Sequence, residues 1–144
     1  MTMWTTGLLL IDTGSGEEHR TSDRLEYLRA MMLRHQEERE KILTELVVQL
    51  IQLGRHREAL DELELYLPSF PYQDNPVLHI YAGLICLYLA QPLTPDSPFN
   101  VILLRDAQSH FEHAQGVDPD NKVASGFLEK VTEYPIVFSI QSNS

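Results

Sequence analysis

Apolar residues recur along this chain at helical spacing, in blocks separated by glycine, proline and short polar runs. Residues 1–11 carry Trp4 and the run Leu8–Ile11, enough apolar surface for a helix or a strand that must dock on something. Asp12–Asp23, with Gly14, Ser15 and Gly16, reads as a loop. From there Ser22 or Asp23 caps a helix bearing Leu25, Leu28 and Met32. The charged stretch His35–Lys41 either breaks that helix or carries it exposed for two turns. Lys41–Leu53 is the clearest helix, with Ile42, Leu43, Leu46, Val47, Leu50, Ile51 and Leu53 forming a wide apolar stripe. Gly54 ends it, since a helix C-terminus often needs the left-handed conformation that glycine adopts without strain.

A second helix begins near Arg57, carries Ala59, Leu60, Leu63 and Leu67, and stops at Pro68 and Pro71. Asn75 caps a third, with Pro76 at its first position, where the missing N–H is harmless, and it runs to Ala90. Gln91–Asn100, with three prolines, is a loop. Val101–Gln115 is a fourth helix ended by Gly116, and Asp120 or Asn121 caps a fifth that reaches Glu133. Ile136–Ile140 is a β-branched tail that could extend along a neighbour. The fold class is therefore all-α. The organisation is an N-terminal docking segment and helix over 1–40, a helical repeat domain over 41–133 and a tail over 134–144.

Helical hairpins in series call for a period search, and a tetratricopeptide repeat recurs every ~34 residues. The first hairpin places Leu43, Leu46 and Leu50 on one helix and Gly54 in the turn. Ala59 is the small residue at the crossing, Leu63 the bulky one a turn later, and Pro71 the terminal proline. Tyr66 departs from the pattern, which prefers a small residue there. In the second hairpin Gly83 is the small crossing residue, followed by Ala107, Phe111, Ala114 and Pro119 at matching intervals. The interval from Pro71 to Pro119 exceeds the repeat length by about 14 residues, and the surplus falls mainly in Gln91–Asn100. The rival fold is an ordinary helical bundle. A repeat stack normally needs about three units, so either the N-terminal helix completes the core or the chain is part of something larger.

Composition narrows the function. With 144 residues, 43% of them hydrophobic, the chain has enough apolar material for one modest core. A net charge of -10 gives no attraction to phosphate backbones, so a protein partner with basic surface is expected and nucleic acid is not. The single cysteine, Cys86, excludes an intramolecular disulfide and fits a reducing compartment, where it reads as an inert core residue. Gly7–Ile11 is too short for a membrane span and lacks the basic start of a signal peptide.

Little chemistry emerges. His110 and His113, three apart on one helix face, have metal-chelating spacing, but no third ligand is evident and two polar histidines flanking a buried Phe111 account for them. Asp118-Pro-Asp-Asn lacks the glycine and glutamate of a calcium loop and reads as a turn. Asp61, Glu62 and Glu64 lie on a solvated face, without the pocket that acid–base work needs. A clamp for a chaperone's C-terminal carboxylate needs Lys and Asn where this chain has Thr44, Val48, Ile80 and Leu84. No enzyme, cofactor, metal or small-molecule substrate is expected.

One stretch is distinctive: Leu53–Leu84, with Phe70-Pro-x-x-x-Asn-Pro-x-x-His-Ile-Tyr81 and then Leu87-Tyr-Leu-Ala-Gln-Pro92. It resembles the tetratricopeptide subunit of the fungal RNA polymerase I core factor, which is related to a TATA-binding-protein-associated subunit of the animal selectivity factor. Trp4-x-x-Gly7-Leu-Leu-Leu10 is similar to the start of that family's repeat region, and the likeness covers most of residues 4–119. Members of the family are longer, with further N-terminal sequence and usually a basic region.

The resemblance implies a non-catalytic scaffold in rRNA gene transcription, in the nucleus and its nucleolus. The implied partners are a TFIIB-like subunit, a propeller-bearing subunit and TATA-binding protein, with promoter DNA reached only indirectly. A groove between helices 41–53 and 76–90, with Tyr72, His79, Tyr81, Leu84 and Tyr88 as its partner-binding residues, is expected to take a partner helix, with core packing the competing reading for His79 and Tyr81. The alternative is a general repeat adaptor or co-chaperone-like assembly factor unrelated to transcription.

Overall fold

The computed structural model describes residues 3–11 and 17–132, and every regular element among them is a helix. The chain forms two compact units that divide between Arg55 and His56.

The first unit holds α1 (Met3–Ile11), α2 (Glu17–Arg34) and α3 (Arg39–Gln52). The helix or strand expected at the start is helical, and Trp4 and Leu8 are its buried side chains. α2 begins five residues before the Ser22 start expected from the sequence, because the polar run Glu17–Arg20 is helical without an apolar stripe to announce it. His35–Lys41 breaks the helix: a single 3-10 turn, Gln36–Glu38, separates α2 from α3. α2 and α3 then pair, Leu25, Leu28, Met31 and Met32 meeting the burial needs of Ile42, Leu43, Leu46, Val47 and Leu50. Gly54 ends α3 at φ 75°. The amides of Gly54 and Arg55 donate to the carbonyls of Ile51 and Leu50, both at 2.9 Å, which satisfies the last turn's acceptors.

The second unit runs α4 (His56–Tyr66), α5 (Pro76–Ala90), α6 (Val101–Val117) and α7 (Lys122–Thr132). Each helix packs on the next, and the α5–α6 pair is the most extensive. Its crossing rests on Gly83. A Cβ there would lie 2.6 Å from Cε1 and Cζ of Phe111, so only glycine lets the ring seat fully. Ala107 and Ala114 lie buried on the same face of α6, and the Phe111 ring stacks on Phe127 of α7 at 5.5 Å. Ala59 and Leu63 are the buried residues of α4, with Leu60. The residues singled out as small or bulky in the repeat pattern are thus interior. The span 41–71, read as the first repeat, is shared between the two units, with α3 in one and α4 in the other.

Asn75 caps α5 as expected, its Oδ1 accepting from the amides of Val77 and Leu78 at 3.0 and 3.3 Å. Asn75→Ala is expected to cost about 1 kcal/mol in a denaturant titration, the usual penalty for an unfilled N-cap. Asn100 and Asn121 cap α6 and α7 in the same way. Gly116 does not end α6. It has no positive φ, the helix continues through it to Val117, and the Asp118 amide closes the last turn on Ala114. In the 91–100 insertion Phe99 turns back onto Ala90 and Leu104, and the Asn100 amide donates to the Ala90 carbonyl at 2.9 Å. The expected tail strand at Ile136–Ile140 lies outside the described residues.

Candidate functional site: the outer face of α5

α5 is apolar almost all round, the composition of a helix covered on several sides. Leu78, Ile80, Ala82, Gly83, Ile85, Cys86 and Ala90 are buried. Of the large side chains left partly outside, four form a set: Val77 and Tyr88, 46% and 58% exposed, and Tyr81 and Leu84, half-buried. Positions 77, 81, 84 and 88 follow the i, i+4, i+7, i+11 progression and so fall on one face. Tyr88 is held in place by a stack on His56 of α4, with centroids 3.9 Å apart and planes at 17°. α4 exposes Glu58, Asp61 and Glu64 to solvent, with Asp61 paired to Arg57 at 3.3 Å. The result is an apolar and aromatic line on one face of α5, of the composition that interface cores favour.

Three of the five residues expected to contact a partner, Tyr81, Leu84 and Tyr88, lie on this strip. The other two lie inside the second unit. Tyr72 is buried, its ring tilted on Tyr66 at 5.1 Å. His79 is 5% exposed and faces a different set of groups. Its Nε2 lies 2.9 Å from the Gln73 carbonyl, and its Nδ1 is 3.2 Å from Nδ1 of His110. The His113 ring stacks on it at 4.0 Å, with the His113 Nε2 also 2.9 Å from the Gln73 carbonyl. Sequence spacing joined His110 to His113. What it could not show is that α5 and the turn before it bring a third imidazole and a shared acceptor to the pair. Burial, and then its imidazole neighbours His79 and His113, push the His110 pKa down to about 4. His79 is lowered too, chiefly by burial.

Cys86 is 1% exposed, and its thiol is pushed up to about 12 by burial, with Asp106 and Glu64 adding to the effect. A thiol so placed is neutral and shielded, without the character of a nucleophile. Among the described residues no helix is long and apolar enough to cross a membrane.

Comparison with known proteins adds one relative. The chain is 33% identical over 72 residues to RNA polymerase I-specific transcription initiation factor rrn11 of Schizosaccharomyces pombe. The matched region is 50% of this chain and 35% of that protein, so the chain spans about a third of the curated relative it matches. No family model and no solved structure matches.

Proposed function

We propose that this chain is a non-catalytic interaction scaffold in RNA polymerase I transcription initiation, acting in the nucleus, and in the nucleolus where rRNA genes are transcribed. The observation that carries the proposal is the 33% identity over 72 residues to an initiation factor of that polymerase. The architecture is compatible with it. Helices stacked in series, of the tetratricopeptide type proposed for residues 41–133, present side chains to partners and need no catalytic constellation. The partners are protein subunits, a TFIIB-like one and a propeller-bearing one, with TATA-binding protein alongside. A net charge of -10 leaves promoter contact to those partners. The strip Val77, Tyr81, Leu84 and Tyr88 is where we place the contact, because it puts two aromatic anchors among exposed and half-buried apolar side chains on one helix face.

The test is co-expression with the other core-factor subunits followed by co-purification. The chain is expected to enter the complex. Tyr81→Ala combined with Leu84→Ala should weaken assembly by about 2 kcal/mol, roughly thirtyfold, with helicity retained. Unchanged assembly would sink the strip as the contact surface. Capture of a chaperone in place of the core-factor subunits, with cytoplasmic location, would favour the general adaptor.

A further inference from the structure

The three imidazoles inside the second unit form a built arrangement that protein docking does not use. His79 from α5 and His110 and His113 from α6 line a cleft of about 310 Å³ with Leu67, Pro68, Gln73 and Ser109. The Gln73 carbonyl can only accept, so Nε2 of His79 and Nε2 of His113 each carry a hydrogen and donate to it at 2.9 Å. In the neutral His79 ring Nδ1 is therefore bare. His110 turns its own Nδ1 to that of His79 at 3.2 Å. Without a metal, the single hydrogen between them belongs to His110.

We propose that this cluster is a binding site for a borderline divalent transition ion, zinc foremost, held by Nδ1 of His79 and Nδ1 of His110 and completed by His113 and water. Two ligand nitrogens on a tetrahedral zinc, at bond lengths of 2.0–2.1 Å, stand about 3.3 Å apart, close to the separation already present here. A histidine that binds zinc usually donates its other N–H to a carboxylate or backbone carbonyl, which orients the ring and fixes its tautomer; His79 already does so through Gln73. Loading is proton-neutral: the His110 hydrogen moves from Nδ1 to Nε2, where cleft water accepts it, and two lone pairs then face the ion. His113 is exposed at the rim; to reach the ion it must leave both the shared carbonyl and its stack on the His79 ring, so it is the weakest of the three ligands.

Among the described residues the one group of three with ligand atoms already within 4.8 Å of one another is His35, Glu37 and Glu38, on the turn between α2 and α3 in the other unit. At the histidine cluster Nδ1 of His79 and of His110 stand that close, and the three rings together do not before metal arrives. The turn group supplies the control. The full chain, stripped with a chelator, is titrated with Zn²⁺ by calorimetry and with Co²⁺ by visible absorption. One equivalent is expected at the histidine cluster, with the intense d–d bands of tetrahedral cobalt. His110→Gln should weaken binding at least about tenfold and His113→Gln by less, while His35→Gln leaves it unchanged. If His110→Gln does not fold, Zn²⁺ protection of His79 and His110 from diethylpyrocarbonate in the unaltered chain decides the matter. No uptake, no protection, or loss of binding with His35→Gln alone overturns the proposal.

Discussion

Phe111→Ala is expected to destabilise the second unit by roughly 3–5 kcal/mol, the range for deleting a fully buried phenylalanine. The ring has no exposed surface. It sits over Gly83 on one side and against Phe127 on the other, so truncation leaves a void that three helices would have to close. Against a typical domain stability of ~5–15 kcal/mol, that loss removes much of the margin. Gly83→Val attacks the same contact from the opposite helix. Its Cβ would stand 2.6 Å from the ring, so either the ring leaves its seat or the helices separate. The two changes share one contact and should not add: Gly83→Val in a Phe111→Ala background should cost clearly less than Gly83→Val alone. Urea titrations of the four proteins provide the measurement. A Phe111→Ala cost below about 1 kcal/mol, or strict additivity, would contradict the crossing described here.

The metal-free protein is expected to lose stability on mild acidification. His79 and His110 have folded pKa values below the ordinary 6.5, His110 at about 4. Between 6.5 and 4 the unfolded chain therefore binds protons that the folded chain refuses, and stability rises with pH across that window. The contribution is fully present above about 6.5 and drains away as pH falls toward 4. Burial and the neighbouring imidazoles drive it; the hydrogen bond to the Gln73 carbonyl and, to a lesser degree, Asp74 work the other way on His79 and limit the loss. On the order of 2 kcal/mol should disappear between pH 7 and pH 4.5, read from denaturant midpoints in chelator-containing buffer. His110→Gln, which cannot titrate, should flatten the profile. A stability unchanged between those two pH values would show that the cluster is more hydrated than its geometry implies.

Where a local rule governs, the residues themselves announced the structure. Asn75-Pro76 marked the start of α5, Gly54 the end of α3, and Gly83, Ala107, Phe111 and Ala114 the tight crossing of α5 and α6. Each of these works through neighbours on its own turn or through a side-chain size that a crossing demands. The failures have equally physical causes. Glu17–Arg20 is helical but polar, so no apolar period revealed it. Gly116 looked like a terminator, yet glycine at ordinary helical angles continues a helix at modest cost. An apolar stripe as wide as that of α3 states that something covers it without saying what; α2 does so within its unit.

For the candidate site, helical phase puts positions 81, 84 and 88 on one face of α5, and their contact with a partner is the proposal made above. The place of His79 was not legible in the sequence, because what defines it lies 31 residues away on another helix and 6 residues back on a turn.

That turn contributes an oxygen and no side chain. The group to which both His79 and His113 donate is the peptide carbonyl of position 73, whereas the Gln73 side chain stands exposed. Any amino acid but proline, which would remove the amide that donates to the Ser69 carbonyl at 3.0 Å, leaves the same carbonyl in place, so a mutational scan should find position 73 permissive while the two imidazoles above it are not. The acceptor that organises the cluster is thus invisible to side-chain genetics. Its identity belongs to the path of the chain, and only a change that re-routes the turn, in length or in backbone angle, would reach it.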